Sequence, residues 1–180
     1  MVYKIDPAGN ETVLYTFNGV DNNAFPDWYG PLVRDEAGNF YGTTVYGLAG
    51  TVFKLDPAGK ETTLYSFTGG ADSGDTTARL VRDPAGNLYG TTNIGGDLSG
   101  GFVGSGCGVV FKLDTAGKET VLYSFTGAAD GGFPQAGLVL DEDGNLYGTT
   151  NIGGDLSCAP GFVSGCGVVF KLTRVAAGSQ

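Results

Sequence analysis

The 180-residue chain has no histidine. That removes the Ser-His-Asp relay and any three-histidine metal site at once. Basic residues are few, 10 Lys and Arg against 19 Asp and Glu, and the net charge is −9. They stand at repeated positions (Lys4, Lys54, Lys112 and Lys171; Arg34 and Arg82) and build no patch. Such a chain is not expected to bind nucleic acid, which needs clustered Lys and Arg. No apolar run approaches the ~18 residues of a membrane helix, so no membrane span is expected. Met1 runs straight into VYKI, without the basic and apolar regions of a signal peptide. Capped helical spacing is missing throughout, so almost no helix is expected. There are three cysteines, too few soft ligands for a zinc site without histidine. Cys158 and Cys166 flank one loop, CAPGFVSGC, and predict a disulfide; two thiols in a glycine-rich loop are the alternative. A disulfide there implies an oxidising compartment. Cys107 is the repeat-equivalent of Cys166, but no cysteine stands near Gly100 to pair with it.

What is present is a repeat. VYKIDPAGNETVLYTFNGV from Val2 returns as TVFKLDPAGKETTLYSFTGG from Thr51 and as VVFKLDTAGKETVLYSFTGA from Val109. A second block follows each copy: PLVRDEAGNFYGTT from Pro31, ARLVRDPAGNLYGTT from Ala78 and AGLVLDEDGNLYGTT from Ala136. The first block begins a fourth time as VVFKL from Val168. A period of about 50–60 residues marks a blade or solenoid array. Within it the residues alternate. Val109, Phe111 and Leu113 point one way and Val110 and Lys112 the other; Val121, Tyr123 and Phe125 are expected on one face. Asp-x-x-Gly strings such as DPAGK, DPAGN and DEDGN separate the runs, with the chemistry of tight turns. Each repeat therefore carries four strands, in the order LVRD, NLYGTT, VVFKL, TVLYSF.

Four short antiparallel strands per repeat form the blade of a β-propeller. The expected fold is all-β, with four-stranded blades, three repeats and one extra strand. The repeats cover about residues 2–50, 51–108 and 109–167, with the extra strand at 168–172 and a tail at 173–180. A β-helical solenoid would need shorter coils and fewer tight hairpins. The count of strands is out of phase with the blade: the first pair wants two inner strands, and the last three want an outer one. Three blades fall short of the ~4–8 that surround an axis. The chain is expected not to close alone. It pairs head-to-tail, most simply as two chains in a six-bladed ring, or belongs to a longer chain.

The joint occurrence of GNLYGTT, GCGVVFKLD, AGKETVLYSFTG and LVRD, over nearly the whole chain, resembles one bacterial family. This is the choice-of-anchor tandem repeat GloVer-containing proteins. A strand ending in Asp, a Gly-Asn turn and an aromatic strand, in that order, is also similar to NHL-repeat and SMP-30-like propellers. The resemblance implies a secreted or surface-attached bacterial repeat protein of unassigned activity, with no catalytic residues to transfer. The chain departs from the pattern in the short loop VYGLAG and in the missing partner of Cys107.

In such a blade the tight turns fall on one rim, and the long connections fall on the other. The long ones vary: VYGLAG, NIGGDLSGGFVGSGCG and NIGGDLSCAPGFVSGCG between the second and third strands, and NGVDNNAFPDWYG, TGGADSGDTTA and TGAADGGFPQA between blades. Loops on a rigid scaffold are where binding residues usually sit. This rim carries Phe25, Asp27, Trp28, Tyr29 and Tyr46, the candidate ligand-binding set, with Asp21, Asp72, Asp75 and Asp130. Aromatic faces beside Asp and Asn suit sugar rings. Trp28 and Tyr29 have no equivalents in the other copies. Phe102, Phe133 and Phe162 recur, and are read as plugs that hold the loops on the blades. The Asp-rich loops offer oxygen ligands for calcium, although DEDGN lacks the later acidic ligand of an EF-hand, so solvated turn aspartates are the simpler reading and no cofactor is expected. Asp56, Asp83, Asp114 and Asp141 recur in turns and are read as bonding turn backbone, not as catalytic acids. The sequence thus points to an extracellular or cell-surface binding or structural module with a carbohydrate or protein ligand and no catalysis. The alternatives are a lactonase-like or hydrolase-like propeller and a fragment of a longer propeller.

Overall fold

The structure, a computed structural model, describes residues 1–17, 25–26, 31–46, 49–72, 76, 79–98, 104–158 and 165–173. Among them there is no α-helix. The strands are β1 (Val2–Ile5), β2 (Glu11–Tyr15), β3 (Phe25–Pro26), β4 (Val33–Arg34), β5 (Phe40–Tyr46), β6 (Ala49–Leu55) and β7 (Glu61–Ser66), then β8 (Val81–Arg82), β9 (Leu88–Thr92), β10 (Val109–Leu113), β11 (Glu119–Ser124), β12 (Val139–Leu140), β13 (Leu146–Thr149) and β14 (Val169–Leu172). All pair antiparallel, in four sheets. β8-β9-β10-β11 is the expected blade in the expected order. β4-β5-β6-β7 is a second one, to which the short β3 adds beside β4 on the same edge of β5. On either side lie β1-β2 and the three-stranded β12-β13-β14.

The six Asp-x-x-Gly turns share one geometry. In each, the Gly N–H donates to the Asp carbonyl at 2.9–3.1 Å, and the Asp N–H donates to the residue that closes the turn at 3.0 Å. The carboxylate finishes the turn: Asp114 Oδ1 accepts from the N–H groups of Ala116 and Lys118. The turns between first and second strands add a longer reach. Oδ2 of Asp35, Asp83 and Asp141 accepts from the side-chain amide of Asn39, Asn87 or Asn145, and from the hydroxyl of Tyr41, Tyr89 or Tyr147 at 3.0 Å. The recurring D-x-x-G-N-x-Y is therefore one hydrogen-bonded unit. The following Gly has a packing cause: a Cβ on Gly90 would lie 2.7 Å from the Phe111 ring.

The core lies between blades. Val52 of one blade packs with Leu80, Leu88, Val109, Phe111 and Leu113 of the next. Val110 makes the same contact with Leu138 and Leu146, and Val2 with Phe53 and Leu55. Alternation in VVFKL thus serves two interfaces at once. An aromatic relay crosses each one. Phe17 meets Phe53, Phe67 meets Phe111, and Phe125 meets Phe170, all edge-on at 5.1–5.2 Å. Each such pair adds about 0.5–1.5 kcal/mol beyond the area it buries. The fourth strand departs from the expectation of one shared face. A bulge at Leu122 opposes Phe111 to Val121 but Val110 to Tyr123, so Val121 and Tyr123 lie on opposite faces. The same irregularity recurs in β1-β2 and β6-β7.

Candidate functional site

The tight-turn rim is the same in every repeat. The opposite rim holds the long connections. Its backbone is woven. In the second repeat the Gly95 N–H donates to the Ser105 carbonyl at 2.7 Å, and Gly108 donates back to Gly95 at 3.1 Å. Gly96 then donates to Ala71 of the preceding inter-blade loop at 3.0 Å. The third repeat copies this. Gly167 donates to Gly153 at 3.1 Å and Gly154 to Ala128 at 3.0 Å. Gly106 and Gly165 sit where these strands cross. A Cβ on either would overlap the carbonyl of Gly95 or Gly153, and both have positive φ. The described glycines at the ends of these loops thus form close backbone crossings, which no side chain could enter.

Two further aspartates of this rim serve structure. Asp72 accepts from the Tyr65 hydroxyl at 2.8 Å, the Thr68 N–H at 3.0 Å and the Thr68 hydroxyl at 2.6 Å. Asp130 repeats this with Tyr123 and Thr126. Burial works against the charge on both, but these donors outweigh it and hold each carboxyl below its ordinary pKa. The same pairs, with burial as the larger cause, push the tyrosines up. The string Y-S-F-T-x-x-x-D is thus a lock between the outer strand and the inter-blade loop. Phe133 is buried and its N–H donates to the Cys107 carbonyl at 2.8 Å, in keeping with a plug. Phe102 and Phe162 lie outside the described residues.

Of the candidate binding residues, the fold brings two to one corner. Phe25 pairs with Val45 across β3 and β5, and Tyr46, next along β5, stands opposite Ala49. Asp27, Trp28 and Tyr29 follow directly in sequence and lie outside the described residues, as do Asp21 and Asp75. Among the described residues no group of three or more Cys, Asp or Glu could hold a metal ion. Cys158 and Cys166 form a disulfide with Cα atoms 5.8 Å apart, and Cys107 carries a buried thiol. Two rim residues escaped the sequence reading. Leu98 and Leu156 are repeat-equivalents in the two NIGGDLS strings, and both are exposed. The only signal was an apolar residue recurring inside an otherwise polar loop.

The chain matches the family model described as the Gloeobacter/Verrucomicrobia repeat over residues 1–179. No curated protein is similar in sequence. Among solved structures it is similar to a luciferin-regenerating enzyme, with 15% identity and a TM-score of 0.50, over 79% of this chain and 41% of that one. It is also similar to a putative gluconolactonase, with 16% identity and a TM-score of 0.45, over 82% of this chain and 49% of that one. This chain therefore spans less than half the length of either, and the likeness to the first concerns the propeller-type fold alone.

Proposed function

The chain belongs to the Gloeobacter/Verrucomicrobia repeat family, and from that premise we propose a non-catalytic propeller-type scaffold that works outside the cytoplasm. Its variable rim binds a carbohydrate or protein ligand. The observation that carries this reading is the contrast between the rims. One end of every blade is the same locked turn. The other is a hydrogen-bonded backbone weave that carries the Phe25–Val45 and Tyr46–Ala49 strand pairs and the exposed Leu98 and Leu156. Rigid loops lose little entropy on binding, and exposed apolar groups on a polar rim suit a sugar face or a protein patch. The recurring acids support binding over catalysis. Asp35, Asp72, Asp83, Asp130 and Asp141 each accept hydrogen bonds from their own repeat. The Cys158–Cys166 disulfide supports an oxidising compartment.

The test is a glycan array probed with the labelled chain, followed by variants on whichever glycan binds. Trp28→Ala with Tyr29→Ala, and separately Leu98→Ser with Leu156→Ser, are expected to weaken binding at least tenfold without moving the melting temperature. Unchanged binding in both would place the contact elsewhere. Turnover of a lactone panel by the wild-type chain would overturn the non-catalytic reading.

A further inference from the structure

The two end blades are complementary halves of one. β14 pairs only with β13 among the described strands, and its outer edge borders a groove of about 300 Å³ lined by Tyr123, Phe125, Asp130, Val169 and Phe170. In the preceding blade the same place is filled by β11, whose Glu119 lies near Tyr65 and Asp72. Among the described strands none fills this groove, which has the place of a fourth strand. β2 is a fourth strand. Its ETVLY is the string of β11 from Glu119 to Tyr123, and among the described strands it pairs with β1 alone.

Three further pairs of positions agree. The valine that seals each interface is 6% exposed at Val2 and 0% at Val52 and Val110, but 82% at Val169. Leu14 and Leu64 are half-buried, and their carbonyls face Gly59 and Gly117 in the next blade's outer turn. Their equivalent Leu122 is exposed, and the equivalent turn glycine, Gly9, has nothing near it. Tyr3, Ile5 and Val13 are bare on β1-β2, and Val139 is bare on β12. Of these, Val13 on β2, Val139 on β12 and Val169 on β14 are exposed at the two ends that a second copy would join.

We infer that two copies of this chain exchange strands: β14 of one copy replaces β1 of the other as the partner of β2. The register follows from β1-β2, where Lys4 faces Thr12 and Ile5 faces Glu11. Lys171 of one copy then faces Thr12 of the other, and Leu172 faces Glu11. Val169 takes the place of Val2 against Phe53 and Leu55. β2 keeps its seat on its own next blade, and Phe17 stays on Phe53. The incoming VFKL brings β12 and β13 with it, whereas β1 stands alone in a two-stranded ribbon, a marginal arrangement in water. Done twice, the exchange gives a closed two-fold ring of six blades with no strand edge left at β14.

The proposal stands apart from rim binding, and its test reads mass and crosslinking. The full chain is refolded from denaturant at about 50 µM, so that strands are free to exchange, and examined by sedimentation equilibrium. The expected species is a dimer, twice the 18.4 kDa of one chain. Val169→Asp, at a site too exposed to disturb the fold, is expected to weaken the dimer at least tenfold with an unchanged circular dichroism spectrum. Thr12→Cys with Lys171→Cys in one chain is expected to give a covalent dimer on oxidation. Val2→Asp, which loosens β1, is expected to strengthen the dimer. A monomer that does not crosslink, a dimer indifferent to Val169→Asp, or an open-ended series of oligomers would each overturn the exchange.

Discussion

At the scale of single residues, small changes separate three kinds of position. Gly9 has φ +87° and nothing within 4 Å of an added Cβ, so Gly9→Ala bears only the strain of the left-handed region, about 1 kcal/mol. Gly106→Ala adds a collision with the Gly95 backbone, and a loss of about 3 kcal/mol or more is expected. Denaturant melts of the two variants check the difference, and equal losses would show that the crossing yields. Glu119 is the opposite case. Its Oε1 is buried without a hydrogen bond, and burial together with the nearby Asp72 raises its pKa. Glu119→Gln is expected to raise the melting temperature at pH 7, with the gain fading as pH falls through the raised native pKa, where the buried glutamate takes up its proton, and gone below the ordinary 4.5. A lower melting temperature at pH 7 would mean that the charge has a partner worth keeping.

At the scale of strands and turns, the aromatic relay sets the energetics. Phe111 is fully buried between two blades, and Phe111→Ala is expected to cost about 3–5 kcal/mol. Leu122→Ala, one strand over but exposed, is expected to stay within about 0.5 kcal/mol. Urea titrations of both decide it. Strands and tight turns were legible in the sequence because their causes are local. Alternation fixes which side of VVFKL faces which blade, and Asp-x-x-Gly needs no distant partner. The bulge at Leu122 was not legible, because strict alternation in TVLYSF carries no sign of the extra residue that shifts the register between Val110 and Phe111. β3 was hidden too, as Phe25–Pro26 becomes a strand only where β5 runs on past its neighbours. Asp72 and Asp130 stand in the sequence as acids of the variable rim, and the structure shows them locking the loop to Tyr65 and Tyr123. Only the constant spacing from Tyr to Asp in both copies signals that. The rim corner was legible as composition, since unrepeated aromatics stand out against a repeat. Its geometry depends on pairing across some twenty residues.

At the scale of the whole molecule, the tyrosine–carboxylate pairs define a pH range. Hydrogen bonds from Asn39, and with them Tyr41 and the charge of Arg82, hold Asp35 at about 2 against an ordinary 3.8. Asp72, Asp83 and Asp130 move the same way. A carboxylate lowered on folding stabilises the fold above its unfolded pKa, and the stabilisation is lost as pH falls through the folded value. Stability is therefore expected to decline from about pH 4 to pH 2. The tyrosines set the other limit. Burial and the same carboxylates raise Tyr41, Tyr65 and Tyr123 above 10.0, so their contribution is full below pH 10 and is lost on further rise. Melting temperatures across pH 2 to 12 check both edges. A steady slope between pH 5 and 9 would show that other groups control folding.

The Phe-to-Phe contacts all run in one direction, from the end of one outer strand to the third strand of the blade that follows. That gives the chain a polarity like tongue-and-groove boards, each carrying the same tongue and the same groove. Boards of that kind do not fix how many are laid. Repeating the segment from Thr51 to Gly108 in tandem would create only joints of a type already present, so the number of blades is free to change by copying whole units. Reversing one board, or copying half of one, would leave a tongue facing a tongue. Each blade added in this way would bring a fresh pair of rim loops whose sequence is free to differ from the last.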